Sequence, residues 1–231
     1  NIAENLLLRN KVIAFFSLEM SKEQLIERLL SSMALVKTGY KRDVEVEEWK
    51  KLQNATNYLL DKKLFIDDDP NKSVADMLSM CRKLKSREGL DLVIVDYLQK
   101  IKSNHKGSRR EQLEQISSDL KNMAKMLDVP VLVVSSLSRA SEARETKMPL
   151  MSDLRETGQL EFDADVIIFL HREHYYKRTD ESIKRDADII VAKNRNGRTG
   201  RTKLLWFEEF TIFMNPPEVE EGENFEDRRI D

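Results

Sequence analysis

The segment Leu92–Asp96 (LVIVD) constrains the fold more than any other stretch of this chain. Four consecutive β-forming apolar residues leave neither face of a strand suited to water, so both faces must be covered. That is the condition of a parallel sheet between helices, because parallel strands need long crossovers and the crossovers bring helices to both faces. The closing aspartate matters too, since ligands of open parallel sheets collect at the carboxyl ends of the strands.

The flanking sequence repeats the pattern. Residues 11–17 (KVIAFFS) form a second buried-strand run, Leu64–Asp67 a shorter one closed by Pro70, and VLVVS after Pro130 another. Helical spacing fills the intervals. Ser21 and Gln24 make a capping-box signature ahead of Leu25, Leu29, Met33 and Val36. Trp49, Leu52, Ala55 and Leu59 recur within residues 45–61, and Ser73 opens a helix with Met77, Cys81 and Leu84 that Gly89 ends. Leu113, Ile116, Leu120, Met123 and Leu127 line a long helix, and residues 1–10 read as the tail of another. Beyond residue 165 the strand candidates follow one another: 166–170, 187–193, then 203–207 and 210–214 joined by Glu208 and Glu209 as a hairpin. The order predicts an α/β, doubly wound, mostly parallel sheet with an antiparallel C-terminal hairpin at one edge.

With 231 residues, 40% of them hydrophobic, and no interdomain linker, the chain suits one domain over 1–217. Residues 218–231 are acidic and are expected to be a disordered tail. A formal net charge of -2 excludes global basicity, so contact with nucleic acid must come from local loops such as 102–110 (KSNHKGSRR). One cysteine excludes a disulfide framework and points to a reducing, cytoplasmic setting; no apolar run reaches membrane-spanning length. His171 and His174, beside Tyr175 and Tyr176, invite a metal reading, but no cysteine or further histidine completes a site. They are expected on a surface turn.

Two acids fall at strand ends: Asp96, and Glu19 two residues past Ser17. A strand closing on aspartate is how P-loop nucleotidases hold Mg²⁺, directly or through water, while a nearby carboxylate can activate the attacking water. Either acid alone is more often a cap or turn former. Four segments give them context: AFFSLEM (14–20), LVIVDYLQ (92–99), SDLRETGQLEFDADVIIFL (152–170) and AKNRNGRTG (192–200). In order and spacing they resemble the motifs of DnaB-type replicative helicases, and the resemblance covers all but the acidic tail.

The resemblance implies a RecA-like motor domain that hydrolyses ATP or another nucleoside triphosphate, with Mg²⁺, to move along single-stranded DNA as a homo-hexamer. Primase and a helicase loader are the expected partners. By matching positions it implies Glu19 as general base, Asp96 as the Mg²⁺-side carboxylate, and Lys193 and Arg195 as finger residues reaching a neighbour's nucleotide. Arg155, Glu156 and Gly158 match a DNA-binding loop, and Arg109, in the basic 102–110 loop, matches a second one less closely. Taken by itself, KNRNGRTG is a solvated turn, and a turn is also how a finger is presented.

Two departures stand out. No Gly-rich loop ending in Lys-Ser/Thr occurs among the 7 glycines, so the first strand and phosphate-binding loop of the family are expected to be missing, through truncation or natural loss, leaving this chain inactive alone. Ser136 stands where the family usually has a glutamine that senses the γ-phosphate; a serine would need a bridging water. The alternative to a motor is a non-hydrolysing relative that serves as an assembly or regulatory module.

Overall fold

The computed structural model describes residues 1–37, 44–138 and 142–217, apart from the side chains of residues 155–157; the acidic tail expected after Pro217 lies outside the described residues. Four strands, β1 (Ile13–Ser17), β2 (Leu64–Asp67), β3 (Leu92–Asp96) and β4 (Val131–Val133), form a parallel sheet in the order β2-β1-β3-β4. Period-two alternation sends Ala14, Phe16, Val93 and Val95 to one face, where they pack with Met77 and Cys81 and with Leu113, Ile116 and Leu120. These partners belong to α4 (Val74–Glu88) and α5 (Arg109–Leu127). Ile13, Phe15, Leu92 and Ile94 occupy the other face, against Leu7, Leu29 and Leu59. Those come from α1 (Ile2–Leu8), α2 (Lys22–Ala34) and α3 (Val46–Leu60). Ile13, Val93 and Val95 are fully buried, which stabilises the fold by about 2 kcal/mol for each such side chain.

The helix boundaries follow their local chemistry. Ser21 and Gln24 satisfy each other's orphan N–H groups at the start of α2, as do Ser73 and Asp76 at α4. Gly89 closes α4 with φ +82°, a conformation that favours glycine. Helix α5 begins at Arg109, because Ser108 and Glu111 form another capping box. The basic loop read from sequence as running to Arg110 therefore ends earlier, and Arg109 and Arg110 sit in a first helical turn. Cys81 is a core residue whose thiol burial pushes up to about 12.

A second sheet holds β5 (Val166–His171), β6 (Asp186–Asn194), β7 (Gly200–Phe207) and β8 (Ile212–Met214), all antiparallel, in that spatial order. The expected hairpin is its β7–β8 pair, with Trp206 opposite Phe213 and their rings 4.5 Å apart. The antiparallel region thus extends over four strands. Edge strand β5 buries Ile167, Phe169 and His171 and exposes Val166, Ile168 and Leu170 at 47–52%. His171 is therefore inside, at 6% exposure, opposite Asp188 and stacked on Tyr176, and not on the expected surface turn. Desolvation lowers its pKa, against the pull of Asp188 and Glu173. The Asn1 side chain accepts from the Phe213 N–H at 3.1 Å and ties α1 to β8.

Candidate nucleotide and DNA site

The parallel register places Ser17 beside Asp96, so β1 and β3 end together, and the Leu18 N–H donates to the Asp96 carbonyl at 2.8 Å. Buried Ser17 then donates its hydroxyl to the Met20 carbonyl at 2.7 Å. That bond curls residues 17–20 into a turn that leaves Glu19 exposed beyond the sheet. Asp96 is half-buried. Burial raises its pKa, the charge of Glu19 raises it further, and Arg28 partly offsets both. Glu19 and Asp96 thus feel one another at one end of the sheet. Two carboxylates placed so form a site that a cation would relieve, or from which a water could be polarised.

Beside them lies the end of β4. Ser136 donates its N–H to the Gln99 Oε1 at 3.2 Å, and the Gln99 Nε2 returns bonds to the Ser135 hydroxyl at 3.1 Å and the Ser136 carbonyl at 3.4 Å. The backbone carbonyl of Gln99 accepts from the guanidinium of Arg109. Arg109 also reaches Gln112 at 3.3 Å. One residue three positions past Asp96 therefore touches both the end of β4 and the first turn of α5.

The segment carrying the expected DNA contacts begins as a 3-10 helix, Met151–Thr157, and continues as α6 (Gly158–Asp163). Asp153, 3% exposed, fixes it: its oxygens accept from Arg144 at 2.7 and 2.6 Å and from the Leu150 N–H at 2.8 Å. Its carbonyl accepts the Ser138 N–H at 3.0 Å. Arg144 holds the Asp153 pKa below the usual carboxylate value. A side chain added at Gly158 would meet open space. The side chains of Arg155 and Glu156 lie outside the described ones.

Lys193 and Arg195 sit at the C-terminal end of α6. Lys193 donates to the carbonyls of Glu161 and, at 2.8 Å, Ala164. Arg195 donates to the Phe162 carbonyl and to the Asp165 carboxylate at 3.3 Å, and its N–H meets the Asp165 carbonyl at 2.9 Å. Cations at a helix C-terminus satisfy its open carbonyls and oppose the helix dipole. The Lys121 ammonium takes the other Asp165 oxygen, and that bond is the main reason the Asp165 pKa is lowered.

Sequence reading missed Gln99, Arg144, Asp153 and Asp165 as organising residues. Their only signal was membership of the quoted motifs, for Gln99, Asp153 and Asp165; Arg144 gave none. Among the described residues no group of three or more His, Cys, Asp or Glu side chains is arranged to hold a metal, and no helix is long and apolar enough to cross a membrane.

Residues 1–215 match the model of the DnaB-like helicase C terminal domain. The replicative DNA helicase DnaB of Geobacillus stearothermophilus is 40% identical over 220 residues, covering 93% of this chain and 48% of that protein. The replicative DNA helicase DnaC of Bacillus subtilis is 39% identical over the same length and shares. This chain thus spans about half the length of the curated relatives it matches. Among solved structures, one described as an ATPase domain superposes with a TM-score of 0.88 at 38% identity, covering 93% of this chain and 78% of that one. A DnaB-like replicative helicase, described with its interactions with primase, gives 0.88 at 38% identity over 93% and 52%.

Proposed function

Because the chain belongs to the DnaB-like helicase C-terminal domain family, we propose that it is the motor part of a replicative DNA helicase, coupling hydrolysis of ATP or another nucleoside triphosphate to movement along single-stranded DNA in a homo-hexameric ring. The observation that carries this reading is the meeting of Glu19 and Asp96 at the ends of adjacent parallel strands, close enough for one charge to shift the other.

In this reading Glu19, the exposed member, orients and deprotonates the attacking water. Asp96, raised by burial and by its acidic neighbour, suits a place beside a Mg²⁺ ion, held directly or through water. When bound there, such an ion would supply positive charge to offset that of the phosphates. Ser136, at the end of β4, occupies the position that reports on the γ-phosphate. Lys193 and Arg195 serve the nucleotide of the adjacent subunit, where a guanidinium stabilises charge on the transferring phosphoryl group. Arg155, Glu156 and Gly158 line the DNA path, with Arg109 a further contact. Phosphates met by an arginine and backbone N–H groups give affinity without sequence preference. Primase and a helicase loader are proposed partners, and the cytoplasm the place of work.

The test uses a helicase polypeptide that contains this chain together with a phosphate-binding loop. Glu19→Gln is expected to lower turnover by at least about a hundredfold while nucleotide still binds; near-normal turnover would remove Glu19 from the base role. Arg155→Ala is expected to weaken single-stranded DNA binding alike at all sequences and to reduce the salt slope by about one. An unchanged affinity and slope would take that segment out of the DNA path.

A further inference from the structure

We propose that Asp165 is the positioning residue for the trans-acting cations Lys193 and Arg195, fastening the strand end that bears them to the same helix that carries the DNA segment. The inference rests on the proposed reading of Lys193 and Arg195 as finger residues.

The geometry is concentrated at one corner. Asp165 grips Arg195 twice, by carboxylate at 3.3 Å and by main-chain carbonyl at 2.9 Å, and its second carboxylate oxygen holds Lys121 of α5. Lys193 and Arg195 fill the carbonyls of Glu161, Phe162 and Ala164 at the end of α6. Two residues before Asp165, Asp163 binds α6 to α5 separately, through the Ser117 hydroxyl at 2.7 Å and the Ser118 hydroxyl at 3.3 Å. Helix α6 is six residues long, and Gly158, at its start, is a candidate DNA contact. A displacement of the DNA segment is thereby passed to the cations within two helical turns.

A lone exposed ion pair contributes little to stability, and Asp165 is 54% exposed. Its value is directional. The carboxylate fixes where a long, rotamer-rich guanidinium starts from, and an arginine held in one geometry loses less freedom when it meets a phosphate. Removing only the charge leaves the Asp163 bonds and the Arg195 main-chain bond intact, so Asp165→Asn should fold normally.

In a ring-forming helicase that contains this chain, Asp165→Asn is expected to lower DNA-stimulated kcat about tenfold with KM for ATP unchanged, at an unaltered melting midpoint. The decisive experiment mixes subunits. Rings reassembled from Asp165→Asn and Glu19→Gln chains should hydrolyse faster than either parent ring, because some seams then join an intact acid to intact cations. Arg195→Ala mixed with Glu19→Gln is the control. If the control pair complements and the Asp165→Asn pair does not, Asp165 serves the nucleotide site of its own subunit and not the cations that reach the neighbour's, and the proposal is overturned, while the function stands. If neither pair complements, the trans assignment of Arg195 falls, and this proposal with it.

Discussion

The Gln99 carboxamide and the Ser136 main chain are bonded in both directions, the N–H of Ser136 to Oε1 at 3.2 Å and Nε2 back to the Ser136 carbonyl at 3.4 Å. A side chain planted just past Asp96 thus sets the backbone at the proposed phosphate-reporting position, and the same residue's carbonyl receives Arg109. In a helicase that contains this chain together with a phosphate-binding loop, the proposed function makes Gln99→Ala expected to lower DNA-stimulated hydrolysis about tenfold while costing only about 1 kcal/mol of stability, because water can replace these half-exposed bonds. Gln99→Glu should fall between, since it keeps the acceptor for the Ser136 N–H and loses the donor. Steady-state hydrolysis with and without single-stranded DNA, beside a melting curve, checks the split. Equal loss of both properties would make Gln99 a packing residue.

Asp96 gives a test in the free domain. Burial and Glu19 raise its folded pKa, so the fold favours its neutral form. Stability from this group is present in acid and is lost as pH rises through the raised pKa. Asp96→Asn should therefore raise the melting midpoint at neutral pH by roughly 2–4 °C, with the advantage vanishing below the ordinary carboxylate range. Melting curves from about pH 3 to pH 8 decide it. A variant less stable at neutral pH would mean that the carboxylate is well paired where it stands.

Asp153 has the opposite sign. Arg144 holds its pKa down, so its contribution is present above the ordinary carboxylate value and disappears as pH falls through the depressed one. Asp153→Asn is expected to lower the melting midpoint at neutral pH by roughly 5 °C, with the gap closing in acid. Because Asp153 anchors the stretch bearing Arg155, the proposed DNA contact predicts that single-stranded DNA affinity falls with it in a helicase that contains this chain. A pH-independent gap would point to shape, not charge, as the cause.

The strands and their acidic ends were legible because they depend on local pattern. LVIVD and KVIAFFS announce their own burial, and adjacency in a parallel sheet then aligns Ser17 with Asp96. The start of α5 was legible too, in Ser108 and Glu111, but the basic composition of residues 102–110 obscured it. The second sheet was harder to read. An unbroken run such as VIIFLH looks buried on both faces, yet every second residue is exposed. The bonds of Asp153, Asp165 and Gln99 were least legible. Gln99 meets Ser136 across 37 positions and Lys121 meets Asp165 across 44, and no spacing rule within a single chain forecasts a hydrogen bond between such distant residues.

The stripe of Val166, Ile168 and Leu170 on β5 has a practical consequence at the bench. An open strand edge with aliphatic side chains facing water is adhesive, and two such ribbons can zip together. A preparation of this polypeptide alone should lose soluble material as it is concentrated, faster with ammonium sulfate, which strengthens apolar burial. Dilute stocks, glycerol and a polar residue at Ile168 are the natural remedies.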